Sequence, residues 1–400
     1  MASAAPAPTR TETDSLGSME IPADAYWGIH TARADANFPI TKRPISVYPD
    51  LVVALAMVKQ ASARANREIG VLDPERADLI DRAAQRVIDG EFHDQFTVGV
   101  IQGGAGTSTN MNANEVITNI ALELAGREKG DYAFLSPIDH TNRSQSTNDV
   151  YPTAVKIGLS LTLRSLLEEL DLLRISFLHK SHEFHDVLKV GRTQLQDAVP
   201  MTLGQEFHGF ASTLGYDHTR LTENASLMFE INMGATAIGT GITTHSDYAP
   251  AVLKHLREIT ELDLVTSADL VEATSDTGSF MSFSSTLKRN AMKLSKICND
   301  LRLLSSGPQA GFGEINLPAM QAGSGIMPGK VNPVIPEVVN QVAFAVAGAD
   351  MTVTMAAEAG QLQLNAFEPV IAHSIFQSIT WMRQAMWTLR VNCVDGITAN

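Results

Sequence analysis

The chain has 400 residues, 44% of them hydrophobic, which gives it the composition of a globular protein and enough length for more than one packed unit. A formal net charge of −14 excludes nucleic acid as a partner, since that binding depends on clustered Lys and Arg, and it leaves any anionic substrate to be drawn by local positive groups. No apolar run reaches the ~18 residues that span a bilayer, the start lacks a secretory signal, and two separated cysteines, Cys298 and Cys393, offer neither a disulfide framework nor a zinc site; the expected setting is a reducing cytoplasm with no membrane partner.

In chain order, residues 1–15 read as a disordered Ala/Pro tail. Residues 16–147 read as a mixed, mostly helical domain, with a short strand pair around 16–27 and helices near 48–69 and 74–89. From 148 to 400 a long-helix domain is expected. Within it, residues 151–183 place Val155, Leu159, Leu163, Leu166, Leu170, Leu173 and Phe177 mostly three or four apart, as one face of a long helix requires. Further long helices are predicted over about 200–229, 279–304, 336–355 and 369–394, with Met351 and Met355 as core filler. Strand alternation is scarce, so the expected fold is mainly α, a long central helical bundle with its apolar faces inward. Short Gly-, Thr- and Asn-rich segments at 103–114, 144–148, 191–197, 234–244 and 323–332 lie between the helices, where chemistry is usually carried.

The segment GSGIMPGKVN at 323–332 is the most informative of these. Three glycines let main-chain N–H groups approach a ligand, and successive N–H groups in such a turn form an anion-binding nest. Ser324 adds a hydroxyl, Lys330 a positive charge and Asn332 an amide. The spacing is one residue short of a nucleotide P-loop, and Val331 stands where that loop needs Ser or Thr. A plain surface turn fits the segment too. The other polar clusters, around Thr107, around Ser146, Thr147 and Asn148, and around Thr193 and Gln194, each read singly as helix caps. Together with Lys330 they suit a small ligand bearing carboxylates. His179, His182 and His185 share a helix face, but no H-E-x-x-H accompanies them; the face reads as solvated, and no metal site is expected.

Taken jointly, GGAGTSTNMNANE at 103–115, QSTNDVYPTA at 145–154, GRTQLQDAVPMTLGQEF at 191–207 and GSGIMPGKVNP at 323–333 resemble the signatures of the fumarase and aspartase superfamily, over about residues 10–400. PVIPEVVNQVAF at 333–344, MAAEAGQLQLNAFEPV at 355–370 and the Gln194-Leu195-Gln196 run, where fumarases carry a histidine, resemble its aspartase branch. The resemblance implies a helical bundle assembled into a homotetramer with a shared helix core and with sites shared between subunits. It implies reversible anti elimination of ammonia from L-aspartate to give fumarate, by a carbon–nitrogen lyase without an organic cofactor.

By the same resemblance Ser324 is the general base, Thr107, Ser146 and Thr147 hold one carboxylate, and Thr193, Lys330 and Asn332 hold the other. Asn148, with Thr193 and Gln194, holds the amino group. Two departures stand out. Gly325 occupies the place of the signature's second serine, so a hydroxyl at the reacting carboxylate is missing. The chain stops at Asn400, where the family normally continues, and its small C-terminal domain is expected to be absent. A fumarase stays in view as a second enzyme reading, and the two departures keep in view a non-catalytic structural or partner-binding member of the family.

Overall fold

The structure, a computed structural model, describes residues 7–400. It opens on an antiparallel hairpin, β1 (Thr9–Asp14) against β2 (Gly17–Pro22), in register from Thr9↔Pro22 to Asp14↔Gly17. Residues 9–14 are therefore strand where the sequence predicts disorder, and the predicted strand pair moves toward the start; residues 1–6 of the predicted tail lie outside the described residues. The hairpin is held by polar groups. The Thr9 and Thr11 hydroxyls both donate to Glu20, and the Arg10 guanidinium donates to the carbonyls of Pro22, Ala25 and Trp27.

Helices α1 (Ile29–Asn37), α2 (Pro49–Glu68), α3 (Pro74–Ile88) and α4 (Thr107–Leu124) follow. Proline opens α2 and α3, where its fixed φ suits the first turn, and Asp73 caps α3 by accepting from the Arg76 N–H at 3.0 Å. Helix α4 occupies much of the segment read from sequence as a loop. Its buried Asn112 and Asn119 donate to the carbonyls of Gln95 and Tyr26 at 3.0 and 2.8 Å, so residues that usually favour loops are satisfied inside a helix.

Helix α5 (Thr147–Glu183) leads into a hairpin of β3 (Leu188–Thr193) and β4 (Gln196–Thr202), and then into α6 (Leu203–Ala225). Short elements come next: β5 (Glu230–Ile231), α7 (Tyr248–Thr260), β6 (Val265–Thr266), which pairs in parallel with β5, and α8 (Leu270–Ser275). The chain then forms α9 (Gly278–Leu304), β7 (Ile315–Asn316), α10 (Val334–Glu358), α11 (Glu368–Asn392) and β8 (Thr398–Ala399), the last antiparallel to β7. The mainly α expectation and the five long helices are borne out, and every sheet among the described residues is two-stranded.

One compact unit comprises residues up to 161, 227–280 and 353–373, and the other comprises 162–226, 281–352 and 374–400. The interleaving arises because the long helices α5, α9, α10 and α11 each contribute residues to both units. Val52, Leu55, Ile80, Ile117 and Ile120 are fully buried in the core of the first unit. The second is built around Phe177, Phe184, Phe207 and Phe210, whose neighbouring ring centroids lie 5.3–5.9 Å apart.

Helix α10 is long and apolar enough by composition to cross a membrane, yet its first turn carries Glu337, and its buried Asp350 accepts from the Ser284 hydroxyl at 2.8 Å and the Lys288 ammonium at 2.5 Å. Its Phe344, Met351 and Met355 are 63%, 60% and 66% exposed, so the two methionines are surface residues rather than the predicted core filler.

Candidate active site

In the first unit, Gly106 caps α4 at φ +93°, and a Cβ there would lie 2.4 Å from Cγ of Tyr151. Only glycine lets the chain cross the Tyr151 ring and set Thr107 at the exposed helix start, where its hydroxyl donates to the Gly104 carbonyl at 2.8 Å. One turn on, Asn110 Nδ2 donates to Thr147 Oγ1 at 3.1 Å, while Asn110 Oδ1 accepts from the Lys59 ammonium at 2.6 Å. Lys59 also donates to Gln145 at 2.8 Å and Asn142 at 3.1 Å, so its three donors meet three acceptors beneath the Thr147 loop.

Burial pushes the Lys59 ammonium down to about 7, against the pull of the Asp149 carboxylate. Burial likewise pushes Asp149 up to about 6, although it accepts from the N–H groups of Thr236, Ser146 and Gly234 at 2.9, 3.0 and 3.1 Å. Those bonds fix the start of α5. There the Ser146 hydroxyl accepts from the Asn148 N–H at 3.2 Å, and the Asn148 amide donates to the Ala237 carbonyl at 2.7 Å. Thr107, Ser146, Thr147 and Asn148 thus belong to one polar rim in the first unit, over a floor of buried Lys59, Asn110 and Asp149 and half-buried Asn142 and Gln145.

The floor escaped the sequence reading. A lysine inside a helix usually means a solvated face, but Lys59 sits in the run Leu55-Ala-Met-Val-Lys59, and a charge within an apolar stretch was the available signal.

The second unit carries the remaining candidates. Thr193 and Gln194 lie at the tip of the β3–β4 hairpin, where Thr193 pairs with Gln196 across a two-residue turn, Gln194-Leu195, with φ of 53° and 63°. Both side chains are exposed.

In the 323–332 loop, the Gly323 N–H donates to the Lys330 carbonyl at 2.9 Å and the Asn332 amide donates to the Gly323 carbonyl at 3.2 Å, which closes the loop on itself. A Cβ on Gly323 would lie 2.5 Å from that Lys330 oxygen, so the closure requires glycine. Ser324 Oγ accepts from the N–H groups of Ile326 at 3.1 Å and Met327 at 3.2 Å. Two donors on one hydroxyl oxygen favour its deprotonated form. Lys330 is exposed, and around Gly325 an added Cβ would meet nothing within 4 Å. The structure therefore brings Ser324 and Asn332 together in one closed loop, and Thr193 and Gln194 together on a separate hairpin.

The first unit thus presents a rim of hydroxyls and amides from Thr107, Ser146, Thr147 and Asn148, and the second presents a serine oxygen that accepts from two backbone N–H groups. The sequence matches the lyase family over residues 17–348, and the chain belongs to that family. It is 60% identical to the aspartate ammonia-lyase of Pseudomonas aeruginosa over 395 residues, covering 98% of this chain and 83% of the relative. It is 54% identical to the aspartate ammonia-lyase of Escherichia coli, covering 98% and 82%. Among solved structures, the fumarate lyase:delta crystallin of Brucella melitensis bound to cobalt superposes with a TM-score of 0.97 at 55% identity, covering 98% of this chain and 85% of that one. The class II fumarase of Schistosoma mansoni superposes with a TM-score of 0.93 at 32% identity over the same shares.

Proposed function

We infer that this chain catalyses the aspartate ammonia-lyase reaction, reversible anti elimination of ammonia from L-aspartate to fumarate, with Ser324 as general base. The carrying observation is the pair of N–H groups, from Ile326 and Met327, that donate to Ser324 Oγ. Serine is a weak base unless its alkoxide is stabilised, and two fixed donors supply that stabilisation.

In the forward direction the Ser324 alkoxide takes the proton from the carbon next to the β-carboxylate. The electron pair left behind delocalises into that carboxylate, then forms the carbon–carbon double bond as the α-ammonium leaves as neutral ammonia. Charge on the reacting carboxylate grows only in the transition state, so donors aimed at it act on rate. Lys330, Asn332 and Thr193 are the groups proposed there. Thr107, Ser146 and Thr147 take the other carboxylate, and Asn148, Thr193 and Gln194 the amino group. No organic cofactor takes part.

The assembly is a homotetramer with each site built from three subunits, a reading supported by the exposed apolar side chains of α10 and by the exposure of Thr107, Thr193, Gln194 and Lys330. The two cysteines, both buried and unpaired, accord with a cytoplasmic setting.

Purified protein given L-aspartate produces the ultraviolet absorbance of fumarate, and does so faster than with L-malate. Faster turnover of L-malate would make the chain a fumarase, and turnover of neither would leave it a non-catalytic relative.

A further inference from the structure

The turn that presents Gln194 is in an unfavourable conformation. Gln194 and Leu195 both have positive φ, at 53° and 63°, where two-residue hairpin turns favour Asn and Gly because a side chain is disfavoured. Apolar packing does not hold it: Leu195 is 66% exposed, and a cavity of about 320 Å³ lies under the tip, lined by Gln194, Leu195, Lys189, Arg192 and Phe312 among others.

What holds the hairpin is a set of charges centred on Glu314. The Lys189 ammonium, with a side chain only 7% exposed, lies 2.8 Å from Glu314 and 2.5 Å from Glu206 of α6. The Arg192 guanidinium donates to the other Glu314 oxygen, and its carbon sits 4.3 Å from the centre of the Phe312 ring. Glu314 is itself fixed by the segment that follows α11. The Asn400 N–H donates to the Glu314 carbonyl at 3.0 Å, the Asn400 amide donates to the Gly313 carbonyl at 2.6 Å, and Ile315 and Asn316 pair with Ala399 and Thr398. The Lys180 ammonium of α5 holds that segment through the Ile397 carbonyl at 2.9 Å.

We propose that Glu314 is a positioning residue, which through Lys189 and Arg192 holds the Gln194-Leu195 turn in the conformation that addresses the substrate's amino group. The inference rests on the substrate role of Gln194 proposed above. Strained residues persist where their surroundings over-determine them, and here the surroundings are ionic and centred on one carboxylate. Glu314 touches no reacting atom; it acts by limiting where the tip can be.

The test combines kinetics with hydrogen exchange on the full chain. Glu314→Gln keeps the shape and removes the charge. It raises KM for L-aspartate about tenfold and leaves kcat within about threefold, because a displaced tip loses binding present in both ground and transition states. Amides of residues 190–197 exchange at least ~10-fold faster, while those of α5 and α6 keep their protection.

Arg192→Met has a similar or smaller effect, and the double variant is no worse than Glu314→Gln alone within about twofold, since the Arg192 contact is one of the two through which Glu314 acts. Wild-type KM and exchange in Glu314→Gln would overturn the proposal. So would additive losses in the double variant, or faster exchange spread through α5 and α6, which would mark a purely structural role. Gln194→Ala separates the two readings. A raised KM there with an unaltered Glu314→Gln defeats the positioning role alone, whereas a wild-type KM in Gln194→Ala removes the substrate role of Gln194 and the inference with it.

Discussion

Ser324 and Gly325 are neighbours under opposite constraints. The Ser324 oxygen receives two backbone N–H groups, whereas Gly325 has a φ open to any residue and empty space where a Cβ would stand. Gly325→Ser is accommodated without strain and, on the proposed reading of the loop, adds a donor for the reacting carboxylate. A hydrogen bond to a charged group contributes about 1.5–3 kcal/mol, so kcat/KM for L-aspartate rises at least ~10-fold in steady-state assays while the melting temperature stays put.

The hydroxyl and glycine clusters proposed as the site stand out in the sequence because each residue type has a narrow use. The floor beneath them does not, since Lys59 finds its three acceptors on Asn110, Asn142 and Gln145, far away in the chain. Lys59→Met leaves those acceptors without their ammonium and costs at least about 2 kcal/mol in denaturant unfolding.

Buried carboxyls add a pH dependence. Burial pushes Glu368 up to about 8 from the usual 4.5, against the pull of Lys156. Between those values the folded state binds a proton that the unfolded state has lost, so stability falls as pH rises through this window. Glu115 and Asp149, raised to about 7 and about 6 chiefly by burial, act in the same direction. Glu368→Gln removes one contribution, and the drop in melting temperature from pH 5 to pH 8 is smaller than in the wild type.

Among the elements, the long helices could be read from sequence because three-to-four spacing is a strong and local signal, as in Leu159, Leu163, Leu166, Leu170 and Leu173 of α5. The β3–β4 hairpin could not: its strands are largely exposed and its turn holds neither Gly nor Asn, so both usual signals are missing. Helix α4 hid behind Thr and Asn, which become helical only with tertiary partners.

The start of α6 shows a local rule at work. The Thr202 hydroxyl accepts from the Gln205 N–H at 3.1 Å, and the Gln205 side chain accepts from the Thr202 N–H at 3.0 Å, a reciprocal capping box. Thr202→Ala lowers stability by about 1 kcal/mol in urea titrations, and Thr202→Ser recovers most of it.

At the scale of the whole molecule, the interleaved units are illegible in sequence, because unit membership changes within helices where composition does not. Val338, Phe344, Met351 and Met355 of α10 are all exposed, and runs of exposed apolar side chains mark interaction sites. Phe344→Asp places a charge in the proposed shared helix core, so light scattering finds smaller species than for the wild-type chain, and turnover is lost with the proposed assembly.

The central claim is that Ser324 removes the substrate proton. Its most direct test is kcat for Ser324→Ala with L-aspartate, alongside the melting temperature and assembly state. A loss of at least ~10³-fold with stability and assembly intact is the predicted result, in the range expected for removal of a general base; a kcat near that of the wild type would contradict it.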